Sequence, residues 1–177
     1  MKAPQNKACG VVLLPVLITL FLNSCCSTKK EYYSNYEEKE ERLKYIYQIN
    51  TINGKRCGKF VWLAETGDTI EISYFKKGKL NGISKSFFEN GRIQIEVECF
   101  NDIFHGTLRE YYENGQLRCE LLYNLDRLWE IKAVYDSSGN VLNPGNLKEG
   151  NGLVKIFYPD GQVQYKGAFE DGVRSGY

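Results

Sequence analysis

Apolar and polar residues alternate along most of the chain in short runs, and the runs end at glycine, asparagine or aspartate. Alternation with a period of two marks strands with one buried face. Asn-Gly and Asp-Gly accept the positive φ that tight turns between antiparallel strands demand. The runs also repeat: FFENGRI at 87–93 returns 24 residues later as YYENGQL at 111–117. Glycines recur in pairs nine apart, as Gly58 and Gly67, Gly82 and Gly91, Gly106 and Gly115, and Gly152 and Gly161; Glu130 and Gly139 form a fifth pair whose first glycine is lost. A second set of turns keeps the same step, at Asn53-Gly54, Lys77-Gly78, Asn101-Asp102 and Leu125-Asp126, with Asp171-Gly172 as its last member. Two turns per period imply two strands per period. The stretch Asn143 to Asn151 interrupts the fourth repeat and reads as a loop.

Taking Asn90-Gly91 and Asn114-Gly115 as two-residue loops fixes which residues face one another. Phe88 opposes Ile93, Tyr112 opposes Leu117, Leu108 opposes Leu121 and Ser86 opposes Ile95. In the last repeat Tyr158 meets Val163 and Ile156 meets Tyr165. This is the side expected to face the core. The other side pairs Lys85 with Glu96, Arg109 with Glu120, Phe87 with Gln94 and Tyr111 with Arg118, each pair contributing on the order of 0.2 to 1 kcal/mol. The first repeat fits with a three-residue loop, Thr66-Gly67-Asp68, which sets Ala64, Trp62 and Phe60 opposite Ile70, Ile72 and Tyr74. Because one hairpin is marginal alone, the repeats must stack. The predicted fold is all-β, an elongated antiparallel sheet of stacked β-hairpin repeats with a 24-residue period.

The ends read differently. Lys2 and Lys7 precede an apolar run from Val11 to Leu22, whose twelve residues fall short of the roughly 20 that a spanning helix needs. Basic flank, short apolar core and small residues after it make 1–24 a signal peptide. The segment Ser27 to Lys44 holds five basic and five acidic residues and no apolar stripe. It predicts a charged tether over 25–44, with a short helix from Glu37 to Lys44, before a repeat domain over 45–177.

The tetrapeptide LNSC, Leu22 to Cys25, resembles the lipobox of bacterial lipoproteins. The resemblance implies that Cys25 carries diacylglycerol and becomes the mature N-terminus. Cys26 is the alternative, and it would set Asn23 where an aliphatic residue belongs. The residue after Cys25 is not Asp, which by resemblance to Gram-negative lipoproteins is compatible with the outer membrane. The repeats GISKSFFENGRI, GTLREYYENGQL and GLVKIFYPDGQV resemble the MORN-repeat variant, over about Gly54 to Tyr177. Similar bacterial chains are grouped as antitoxin-like components, so the resemblance implies a repeat fold and, as a second reading, an antitoxin or immunity role. The sequence departs from the pattern at Glu130 and at the glycine-free turns Asn101-Asp102 and Leu125-Asp126. It also stops at Gly176-Tyr177 as another unit falls due, which leaves the strand near Gln162 to Phe169 close to an open sheet edge.

Charge and chemistry narrow the function further. The formal net charge is +1, and removal of Lys2 and Lys7 makes it −1, without the clustered basic excess of a nucleic-acid binder. The one histidine, His105, precedes Gly106 where Cys57 and Asn81 stand in other repeats, and reads as a turn residue. No P-loop, G-x-S-x-G or H-E-x-x-H sequence occurs, and the carboxylates Glu96 and Glu120 recur with the repeats. No catalytic residue, cofactor or metal site is assigned. Cys99 and Cys119 fall two strands apart, beyond the reach of a disulfide, and are expected to be thiols. A stripe of Phe87, Tyr111, Tyr135 and Phe157, with Lys85, Arg109 and Lys155 beside it, should lie on the solvated side with about 9.6 Å between equivalent positions, twice the strand spacing. The chain thus reads as a lipid-anchored, non-enzymatic protein of the bacterial cell envelope that binds a protein partner through this stripe or an open edge.

Overall fold

The computed structural model describes residues 26–33 and 42–175. The signal peptide, Cys25 and the Gly176-Tyr177 end lie outside the described residues. Nine strands follow one another in a single antiparallel sheet: β1 (Cys26–Tyr33), β2 (Arg42–Asn50), β3 (Arg56–Leu63), β4 (Thr69–Lys76), β5 (Lys79–Phe87), β6 (Ile93–Phe100), β7 (Ile103–Tyr111), β8 (Leu117–Asn124) and β9 (Arg127–Val134). A three-stranded sheet completes the chain, with β10 (Gly152–Phe157), β11 (Val163–Glu170) and β12 (Val173–Ser175). The fold is the expected one, an all-β meander of consecutive hairpins.

The charged segment departs from expectation. Instead of a tether it supplies β1, which pairs with β2 from Cys26–Asn50 to Tyr33–Arg42. The expected helix over Glu37–Lys44 is likewise overtaken, since β2 already runs from Arg42, while residues 34–41 lie outside the described residues. The charged residues Lys29, Lys30 and Glu31 suit an edge strand, where charge is tolerated and discourages further pairing. A disulfide joins Cys26 to Cys57 with 6.5 Å between their Cα atoms. Cys99 and Cys119 are buried free thiols.

Each ENG turn is one residue longer than the two-residue loop expected. Phe88 N–H donates to Arg92 O at 2.8 Å and Gly91 N–H to Phe88 O at 2.9 Å, which closes a three-residue loop with Gly91 at φ +77°. Tyr112, Gln116 and Gly115 repeat this geometry. The added residue is absorbed at once by a bulge: Phe87 pairs with Ile93 and Tyr111 with Leu117, whereas Ser86 pairs with Ile95 and Glu110 with Cys119. Gln94 and Arg118 are the bulged residues, so the expected pairs Phe87–Gln94, Tyr111–Arg118, Phe88–Ile93 and Tyr112–Leu117 do not form. Beyond the bulge the expected register holds, with Lys85 opposite Glu96, Arg109 opposite Glu120 and Leu108 opposite Leu121. In the last repeat Ile156 meets Tyr165 as expected, but Val163 meets Phe157 and not Tyr158. The first repeat uses the same loop, Glu65-Thr66-Gly67, and not the one its sequence suggested. Trp62 therefore opposes Glu71 and Phe60 opposes Ser73, one residue from the expected pairs with Ile72 and Tyr74.

The first glycine of each pair serves another purpose. At Gly82 and Gly106, φ is +120° and +121°, and the pairing slips by two residues around each. A Cβ at Gly106 would lie 2.9 Å from the Cβ of Glu98. Where Glu130 replaces the glycine, the two-residue slip between β8 and β9 is taken in two separate steps, after Glu120 and after Leu122. A side chain is thus accommodated by sharing the distortion between two bulges.

The second set of turns joins strands through two residues at positive φ, among them Lys77-Gly78, Asn101-Asp102 and Leu125-Asp126. These turns form a ladder along one end of the strands. Gly78, Asp102, Asp126, Gly150 and Gly172 each donate their N–H to a carbonyl of the preceding repeat, at 2.8 to 3.0 Å. Aspartate in place of glycine adds a second link, because Asp102 accepts from Leu80 N–H at 2.7 Å and Asp126 from Phe104 N–H at 2.6 Å. At the opposite end, Asn90 and Asn114 each accept from their own loop and donate to a carbonyl of the next, Glu113 O and Ser137 O, at 3.1 Å.

Asn143 to Asn151 is more than a loop. Residues 141–148 form an irregular return strand, bridging Tyr135–Val141 on one side and Gly145–Val154 on the other, and Lys155 N–H reaches Pro144 O at 2.8 Å. Pro144 has no N–H to give and breaks the ladder locally. Glu149-Gly150, both at positive φ, then form the turn due 24 residues after Leu125-Asp126. The strand expected at an open edge, β11, is covered by β12.

Candidate functional site

Two sides of the sheet offer themselves, and they differ in chemistry. The outer side carries a chain of ion pairs across four strands. Lys85 Nζ lies 2.6 Å from Glu96, Arg109 Nη1 lies 3.3 Å from the other oxygen of Glu96, and Arg109 Nε lies 2.8 Å from Glu120. The Lys85 hydrogen bond, with the Arg109 guanidinium, holds the Glu96 carboxyl below its ordinary value. Two cations are matched by two carboxylates, so this ladder is neutral and is not the free basic row expected of a surface for an acidic partner. Phe87 and Tyr111 stand half-buried beside it, paired with Ile93 and Leu117.

The aromatic stripe does not continue past Tyr111. Phe157, expected in solvent, is only 8% exposed. With Tyr135 and Lys155 it lines a cleft on the inner side, where β8 and β9 face β10 and β11. The physical reason is the extra return strand: residues 141–148 occupy the place next to β9, and β10 comes one strand later on a stretch of sheet that faces back toward β8. Of the seven residues read as a binding surface, Phe87, Tyr111, Lys85 and Arg109 stay together, and Tyr135, Phe157 and Lys155 gather elsewhere.

The cleft has a volume of about 420 Å³ and mostly apolar walls, including Leu121, Ile131 and Val154. At one side Arg118 meets Glu110 at 2.5 Å, and its guanidinium lies 5.9 Å from the centre of the Tyr112 ring. Tyr112 donates its hydroxyl to Tyr135 O at 3.0 Å. Burial raises the pKa of Tyr112 and Tyr123. The Cys119 thiol, 3.8 Å from Glu110, is pushed up to about 12, by burial first and by the neighbouring carboxylate second. Such a thiol stays protonated and is a poor nucleophile. A largely apolar concavity with a few converging polar groups is suited to receiving an apolar side chain or ligand.

Glu110, Tyr112, Arg118 and Cys119 were missed as site residues. Arg118 was assigned to the outer side because a two-residue loop leaves no bulge to turn it inward. Glu110 did leave a signal, as a carboxylate standing at an inner position between Leu108 and Tyr112.

Three segments, residues 80–102, 104–125 and 151–171, match the model of the MORN repeat variant. Repeats of this kind generally serve as interaction modules. No curated protein matches the chain.

Proposed function

Since the chain is a protein of MORN-variant repeats, we propose that it is a non-enzymatic interaction module of the bacterial envelope, held by lipid at Cys25. It binds a protein partner whose apolar side chain enters the cleft between β8–β9 and β10–β11. The observation that carries this reading is the cleft itself, with mostly apolar walls, an ion pair at one side and a buried thiol. Export is supported by the apolar run and the LNSC sequence, and by the Cys26–Cys57 disulfide, a bond that persists in oxidising compartments.

The test is cross-linking of the full-length lipoprotein in its own membranes, read by mass spectrometry, with three variants. Ile156 lines the cleft and is 43% exposed, so Ile156→Glu charges the cleft without loading the core. It is expected to lose the partner, whereas Phe87→Ala and Tyr111→Ala on the outer side keep it. Loss with the outer variants alone would move the interface to the ion-paired side, and an unchanged set of cross-links with all three would sink the module reading. A single stoichiometric toxin-like partner would make the module an immunity protein.

A further inference from the structure

We propose that the inner side of the sheet from β2 to β6 binds a neutral oligosaccharide. The site is apart from the cleft but on the same side: cross-strand pairs lead from Tyr45 through Trp62, Glu71, Ser86, Ile95 and Glu110 to Cys119. A cluster of rings lies at the N-terminal end of this row. Between ring centres, Tyr45 stands 5.4 Å from Phe60 and 6.1 Å from Trp62, and Phe60 stands 5.9 Å from Phe75. Tyr45 and Trp62 are half-buried, so part of each ring stays open. Next to the rings, a groove of about 220 Å³ has Glu71, Ser84, Ser86, Ile95 and Val97 in its walls. The rings and Glu71 precede residue 80, where the first matched repeat begins, so the repeat pattern does not supply them.

The polar groups here identify the ligand's chemistry. Ser86 Oγ and Trp62 Nε1 are buried without a hydrogen-bond partner among the described residues, and Ser84 Oγ has beside it the Cys99 thiol, a weak partner. Folded proteins leave few buried polar groups unpaired. Rotation about χ1 turns either serine hydroxyl into the groove that its residue lines. Glu71 accepts a hydrogen bond from the fully buried Ser73, which holds the carboxylate in place, and it forms no ion pair with a described residue. An apolar segment laid here would bury these groups unpaired. An anion would meet the Glu71 carboxylate. A cation is already supplied by Arg56, whose guanidinium lies 5.0 to 5.5 Å from the centres of the Phe60, Phe75 and Tyr47 rings. A neutral sugar fits all three conditions: its hydroxyls both donate and accept, and its C–H groups rest on the negative faces of aromatic rings. Tyr45 and Ser86 are three strand spacings apart, roughly 14 Å, so the site is longer than one sugar ring.

The experiment titrates the full-length protein, in a detergent that carries no sugar, with cellotetraose, maltotetraose and N-acetylchitotetraose, read by saturation-transfer NMR. Saturable binding of at least one of these is expected, with no binding of tetralysine or tetraaspartate. Ser86→Ala removes a hydroxyl that has no partner in the fold. It is expected to weaken sugar binding about five- to tenfold, the worth of one hydrogen bond, without lowering the thermal unfolding midpoint. Trp62→Phe keeps a ring but loses the N–H, and is expected to weaken binding by a similar factor. Absence of saturable binding by all three sugars overturns the proposal, as does sugar binding that both variants leave unchanged. Tighter binding of tetralysine than of any sugar also overturns it, and would make the groove a site for a basic peptide. Should Trp62→Phe unfold the sheet, the Ser86→Ala titration alone decides.

Discussion

The middle of the sheet, β5 to β8, and its C-terminal end, from β9 to β12, are built from the same repeat, yet only the end turns strands back to face its own inner side. In the middle each hairpin hands directly to the next, and side chains pack against neighbours along one layer. Val97, Cys99 and Cys119 are its buried apolar side chains among the described residues, while Ile83, Phe100 and Phe104 stay well exposed. At the end one strand is broken by Pro144, and the strands after it bring Val154 and Phe157 across from Cys119 and Leu121. A single irregular strand thus converts a one-layer ribbon into a cleft. The lesson is that this protein's cleft is made where its repeat fails.

The largest expected effect separates the two regions through their aromatic residues. Phe157→Ala should cost about 3 kcal/mol in urea unfolding, as deletion of a buried phenylalanine does, and Phe87→Ala less than about 1 kcal/mol. Equal costs would mean that the cleft is not the better packed of the two. A smaller contrast concerns the glycine that one repeat lacks. Gly106→Ala places a side chain at φ +121° and should destabilise by about 1 to 3 kcal/mol, whereas Glu130→Gly, in a strand that has already divided its bulge, should gain nothing and lose about 0.5 to 1 kcal/mol. A stabilised Glu130→Gly variant would show that the missing glycine is a defect and not an adaptation.

The smallest effect belongs to the outer ladder. Lys85 and Arg109 are each more than a third exposed, so Glu96→Gln should cost no more than about 1 kcal/mol at neutral pH and less in salt. The folded-state pKa of Glu96 is lowered from 4.5, so its contribution is present above that value and is lost as the pH falls through the folded pKa. The wild type should therefore lose more stability than Glu96→Gln during acid titration below about pH 4.5. Parallel acid profiles would place the ladder's energy elsewhere.

The sequence by itself determined the period, both families of turns and the ion pairs of the outer ladder. Those features are local: an Asn-Gly or Asp-Gly pair sets its own backbone, and alternating residues choose a face within a few positions. Three things only the tertiary structure decided. Arg118 points inward because a bulge of one residue moves a side chain to the other face, and nothing in YYENGQL distinguishes a two-residue loop from a three-residue loop with a compensating bulge. Residues 26–33 form a strand because β2 offers an edge to pair with, which charge composition does not reveal. The cleft exists because Pro144 interrupts a return strand and β10 comes to face β8, contacts between residues far apart in the chain that no local pattern encodes.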